Sequence, residues 1–92
     1  MNEDDNSVFS DKEKAILLVL YKSQVPLTVY EIRDKAEKDR NVRMAWETCE
    51  SILIKLRDED EFLKSKDYPK KKTVRWHMDY EKKRKLKEKY KL

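Results

Sequence analysis

Residues 68–77 read YPKKKTVRWH: a proline, three consecutive lysines, then a run in which apolar and polar residues alternate. Alternation at a period of two marks a half-buried strand, with Val74, Trp76 and Met78 on one face and Thr73, Arg75 and His77 on the other. The stretch EFLKSK at 61–66 is a second strand candidate. Together they predict a β-hairpin with a basic tip, Asp67 to Lys72, whose six residues can turn without a positive-φ position. Upstream the chain reads mainly as helix, so this hairpin separates a mixed fold from a plain bundle.

Upstream, Ser10 and Glu13 form a capping box that starts a helix near Asp11. Ala15 to Tyr21 are apolar without interruption and cover the whole circumference, so this helix needs cover on two sides. Its own core supplies one side, and a second subunit is the expected cover for the other. Thr28 and Glu31 repeat the box, with Leu27 and Ile32 as a hydrophobic staple, and predict a helix from Val29 to Lys38 with Val29, Ile32 and Ala36 inward. Val25 to Leu27 reads as a short edge strand, where Pro26 is tolerable.

Asn41 is the expected cap of a third helix running to Arg57. Its inward residues are Val42, Ala45, Trp46, Cys49, Ile52, Leu53 and Leu56 at helical spacing. Met44, Glu47, Thr48, Ser51 and Lys55 face outward, flanked by Arg43 and Glu50. After the hairpin, Asp79 caps a fourth helix with a thin apolar seam of Tyr80, Leu86 and Tyr90. That helix would fray alone and is expected to pack on the first helix or on a second subunit.

At 92 residues the chain fits one domain, which buries about 60–65% of its unfolded surface. Charged residues make up 46% of it against a usual figure of about 25%, yet the apolar residues cluster, which argues for a folded protein with an ionic surface. Glycine is absent and Gln24 is the single glutamine, a composition resembling hyperthermophile proteins, in which ion pairs gain value with temperature. One cysteine and one histidine exclude an internal disulfide framework and a four-ligand zinc site, which makes a cytoplasmic setting the default. No apolar run reaches the roughly 18 residues that span a bilayer, and the acidic start MNEDDNS is unlike a signal peptide. No glycine-rich phosphate loop, metal set or nucleophile with a base is visible, so no enzyme, cofactor or small-molecule ligand is expected.

The net charge of +4 hides a strong polarity: residues 64–92 carry 13 Lys/Arg against 4 Asp/Glu, a local +9, leaving −5 for residues 1–63. A basic C-terminal third suggests a polyanionic partner, nucleic acid before acidic lipid.

The order helix, short strand, helix, helix, hairpin, helix resembles that of the winged-helix DNA-binding proteins, particularly the compact dimeric regulators of archaea and their viruses and plasmids. The resemblance implies an α+β, mainly α fold: a winged helix-turn-helix over residues 10–78, with a three-helix core and a β-hairpin wing. Residues 1–9 would be a disordered acidic N-terminus and 79–92 a basic C-terminal helix that dimerises. It further implies sequence-specific binding of double-stranded DNA by a homodimer that regulates transcription, in the host cytoplasm if viral. The third helix would read the major groove through Arg43, Met44, Glu47, Thr48 and Ser51, whose side chains can donate to guanine, accept from cytosine or pack on a thymine methyl. Backbone contacts would come from Arg40, Lys55, Lys70, Lys71, Lys72 and Arg75, and the dimer interface from Leu17, Leu18, Tyr21, Leu86 and Tyr90. Independently of the family, ammonium groups on a protruding hairpin neutralise phosphates and release counterions, and Pro69 lowers the entropy lost on docking.

Each feature has a plainer reading. That of the lysines is a solvated tip that guards a strand edge and nothing more. Trp46 and Trp76 read as core anchors, Cys49 as a buried hydrophobe with an intersubunit disulfide as the alternative, and His77 as a surface or phosphate-contacting residue. The basic tail reads equally as a solvated helix face, with membrane-surface binding disfavoured by its thin seam. A protein-interaction module, with the acidic Asp58 to Glu61 patch beside the basic tail, is the main alternative function. RNA binding ranks below it, because no exposed aromatic pair resembling a base-stacking platform is apparent.

Overall fold

The computed structural model describes residues 9–90, without the side chain of Tyr90. The acidic stretch at 1–8, expected to be disordered, lies outside the described residues. Four helices and one antiparallel hairpin follow in order: α1 (Asp11–Lys22), α2 (Val29–Arg40), α3 (Trp46–Asp58), β1 (Lys64–Tyr68), β2 (Thr73–His77) and α4 (Tyr80–Tyr90). The architecture is α+β and mainly helical, compatible with a winged-helix layout.

Both capping boxes form reciprocally. Glu13 Oε1 accepts from the Ser10 N–H at 2.7 Å and Ser10 Oγ from the Glu13 N–H at 3.2 Å. Glu31 Oε1 accepts from the Thr28 N–H at 2.9 Å and Thr28 Oγ1 from the Glu31 N–H at 3.2 Å. Such caps contribute about 1 kcal/mol each.

The start of α3 differs from expectation. Asn41 closes α2 in a left-handed conformation, φ 58° and ψ 37°, and its N–H bonds back to Ala36 and Glu37 carbonyls. Asparagine suits both jobs, since it caps helix starts and tolerates the left-handed region. Residues 42–45 are therefore a loop, and α3 begins at Trp46 behind Ala45, without a side-chain cap.

The core is one cluster. Ala15, Ile16, Leu17, Val19 and Leu20 of α1 pack with Ile32 and Ala36 of α2 and with Cys49, Leu53 and Leu56 of α3. The buried residues of α1 span about 200° of its circumference, leaving only Leu18 and Tyr21 of the apolar run partly exposed. The second side of α1, expected to need another subunit, is thus largely closed by the chain itself. Phe9, expected in the disordered terminus, is also core: it is 4% exposed and meets Phe62 edge-on, ring centroids 5.8 Å apart.

The hairpin pairs Lys64 with His77 through to Tyr68 with Thr73. Trp76 and Met78 face the core as the alternation requires, whereas Val74, nearer the tip, is exposed. The expected edge strand at 25–27 shortens to one bridge, in which the Leu27 N–H donates to the Trp76 carbonyl at 2.9 Å and the Trp76 N–H to the Leu27 carbonyl at 2.7 Å. The tip turns through a 3-10 turn, Pro69–Lys71, and Lys72 takes φ 54°, so the turn does use a positive-φ position. Without glycine, that region is also filled by Asn41 and Glu61, at a cost on the order of 1 kcal/mol for a residue such as Lys or Glu.

Helix α4 packs on its own chain. Asp79 caps it, accepting from the Lys82 N–H at 3.0 Å, and Leu86 enters the common core. Tyr80, assigned to the seam, is instead 77% exposed. Lysines fasten the helix: Lys82 Nζ donates to the Glu61 carbonyl at 2.9 Å, Lys83 Nζ to the Ser23 carbonyl at 2.9 Å, and Lys85 Nζ stands 4.8 Å from the Phe62 ring centroid. Among the described residues no helix is long and apolar enough to cross a membrane.

Two carboxylates link this fold to pH. Burial raises the Glu13 pKa, but the Ser10 N–H and the Lys55 ammonium at 3.0 Å outweigh it and hold the pKa below its ordinary 4.5. Asp79 is held below 3.8 by Lys64 at 2.8 Å and by the Lys82 N–H. A carboxyl depressed in the folded state stabilises fully above its unfolded pKa and loses that contribution as pH falls through the folded value. The melting temperature should therefore be nearly level from pH 7 to about 5 and fall below about pH 4.5. In Glu13→Gln the neutral-pH value should drop and the acid decline become shallower, as read by thermal melts across this range.

Candidate nucleic-acid interface

The hairpin tip presents Lys70, Lys71 and Lys72, all exposed. Their backbone is fixed by Pro69, by the Lys72 N–H donating to the Pro69 carbonyl at 3.1 Å and by the strand register behind it. None of the three ammonium groups has a partner among the described residues. The tip is a preformed concentration of uncompensated positive charge.

Other expected contacts are differently placed. Lys55 is bound to Glu13 and Asp60, each at 3.0 Å, and lies 5.7 Å from the centroid of the Phe9 ring. Arg75 reaches Glu31 and the Pro26 carbonyl, both at 3.4 Å, tying β2 to the start of α2. Arg40 sits half-buried at the far end of α2, about 15 Å along the helix axis from Tyr30. The structure gathers Lys70 to Lys72 into one site and leaves Arg40 outside it. The acidic patch is partly neutralised, since Asp58 binds Arg57 at 2.7 Å and Asp60 binds Lys55.

Of the residues assigned to base reading, Glu47 and Ser51 share the outward stripe of α3 and Thr48 is half-buried at its edge. Arg43 and Met44 fall in the loop before the helix. There Arg43 pairs with Glu37 at 3.0 Å and Met44 packs against the core. Of the residues assigned to the dimer interface, Leu17 and Leu86 are each only 2% exposed, so they have almost no surface to offer a partner. Leu18 and Tyr21 remain partly accessible, and the Tyr90 side chain lies outside the described residues. Cys49 is fully buried and its thiol is pushed up to about 11 by burial, which leaves it unable to reach a second chain. His77 is half-buried beside a cavity of about 120 Å³ bounded by α1, the 23–26 segment and Lys83.

Sequence reasoning misplaced Trp46 and missed a groove. Trp46 is 41% exposed although it stands only about 20° around the helix from buried Leu53: it is the first residue of α3, at the end and edge of the core stripe of Cys49, Leu53 and Leu56. With Tyr30, Ile54 and Val74 it lines a depression of about 550 Å³ between α2, α3 and β2, and Lys72 stands in its wall. The exposed aromatic pair that seemed absent from the sequence is Tyr30 and Trp46. The visible signal was the i, i+4, i+8 line of Trp46, Glu50 and Ile54. Tyr30 follows inward-facing Val29, but the turn that brings these residues together is tertiary. Arg57 braces the groove: it binds Asp58 and Ser65 and lies 5.2 Å from the centroid of the buried Trp76 ring.

Trp76→Ala should destabilise the protein by about 3–5 kcal/mol, the usual result of deleting a buried aromatic, whereas Trp46→Ala should change stability by less than about 1. Urea midpoints of the two variants test this contrast. Native Cys49 should stay unreactive toward Ellman's reagent at pH 8 and react fully in denaturant.

Comparison with known protein families, with curated proteins and with solved structures finds no match to this chain.

Proposed function

We propose that the protein binds double-stranded DNA as a winged-helix protein, with the hairpin as its wing and Lys70, Lys71 and Lys72 on the phosphate backbone. The observation that carries this reading is the contrast among cations. Arg43, Lys55, Arg57, Lys64 and Arg75 are held in ion pairs, while the three adjacent lysines of the tip have none among the described residues and stand together on a preformed, exposed turn. Charge held ready without an internal partner favours a polyanion, and the rigid turn lowers the entropy lost on docking.

In this arrangement the outward edge of α3, with Glu47, Thr48 and Ser51, faces the bases. Glu47 accepts from a cytosine amino group and the two hydroxyls serve either donors or acceptors. The acids of α3 repel phosphates, so affinity comes from the wing and discrimination from α3. Occupying DNA in this way is what a transcription regulator does.

The test is fluorescence anisotropy with random duplex DNA at several salt concentrations. Binding should weaken steeply with salt. Lys70→Ala, Lys71→Ala and Lys72→Ala together should reduce the slope of log K against log salt by about 2–3, near 0.9 per neutralised phosphate, without changing the melting temperature. An unchanged slope would reject the wing contact, and no binding at low salt would reject the reading.

A further inference from the structure

Four of the six large apolar side chains exposed among the described residues lie in one place: Tyr30 (69% exposed), Trp46 (41%), Ile54 (41%) and Val74 (39%) all line the groove between α2, α3 and β2. Scattered apolar residues need no explanation, but a contiguous cluster in a concave site marks a binding surface. At about 550 Å³ the groove falls within the roughly 300–1,000 Å³ of sites that enclose small organic groups.

We infer that this groove receives an unpaired nucleic-acid base, stacked on Trp46 or Tyr30, while the attached phosphates lie on Lys72, Lys71 and Lys70. The inference rests on the nucleic-acid reading above and adds the chemistry of a second subsite to it. Two observations select a base over an apolar peptide.

First, the two aromatic residues are exposed and share the groove with Lys72, which continues into Lys71 and Lys70, so one surface offers both a stacking face and a phosphate contact. Single-strand binding combines these two elements. Second, Glu50 lines the same groove and provides an acceptor for an exocyclic amino group, which an apolar peptide would leave unused. It also disfavours a phosphate there, which keeps the backbone outside on the lysines.

The experiment compares a blunt duplex with the same duplex carrying a short single-stranded tail, read by anisotropy and by tryptophan fluorescence. The tailed duplex should bind about tenfold more tightly and quench Trp46, the exposed indole. Tyr30→Ala and Trp46→Ala should each reduce that preference while leaving blunt-duplex affinity and its salt slope unchanged; Trp46→Phe should retain the preference without the quench. Circular dichroism melts confirm that each variant is folded, which is expected because both side chains are exposed. Equal affinity for blunt and tailed duplexes would overturn the base subsite and leave the duplex reading standing. A tail preference insensitive to both substitutions would overturn it as well, placing the strand elsewhere. Failure of any nucleic acid to bind, with Trp46 quenched instead by amphipathic peptides, would overturn both readings.

Discussion

The bridge between Leu27 and Trp76 is the constraint on which the rest of the structure depends. Two backbone hydrogen bonds of 2.9 and 2.7 Å join the segment before α2 to the middle of β2. They fix the hairpin against the helices at the residue whose indole enters the core. A two-stranded hairpin alone is at best marginally stable in water, so this hairpin holds its direction through the bridge and the burial of Trp76. The groove and the orientation of the lysine tip follow from it.

Charge is organised around the same junction. Glu31 caps α2 and also receives Arg75 from β2, so a local helix-start device becomes an attachment between elements. Arg57 ties α3 to β1 through Ser65 and covers Trp76, while Lys64 links β1 to the cap of α4. Exposed ion pairs are individually worth at most about 1 kcal/mol, and most of these are at least partly exposed. Their contribution is to geometry as much as to stability, and it occupies most of the cations near α3. At the tip of the hairpin, three adjacent lysines remain without an ion pair among the described residues.

Local signals in the sequence were reliable where they were redundant. Both capping boxes, the period of two around Trp76 and the cap at Asp79 each combine a residue type with a matching neighbour at fixed spacing. Asn41 shows where that logic fails. One side chain is suited to starting a helix and to ending one, and only the packing of Val42 and Met44 against the core decides between them. Assigning it to the start lengthened α3 and turned Arg43 and Met44 into apparent reading residues. The lysines of α4 show a related limit: as a charge run they look solvated, yet Lys82, Lys83 and Lys85 reach carbonyls and a ring supplied by distant segments.

The sequence by itself determined the main element types, most of the buried stripes, the basic hairpin and its separation from an acidic N-terminal part, because these depend on spacing and charge within a few residues. Tertiary structure decided which cations remain uncompensated, that α1 is largely covered without a second chain, and that Tyr30, Trp46, Ile54 and Val74 meet in one groove. Those outcomes depend on contacts between segments far apart in the chain. Their physical origin is the pairing of Leu27 with Trp76, 49 positions away, which no local periodicity encodes.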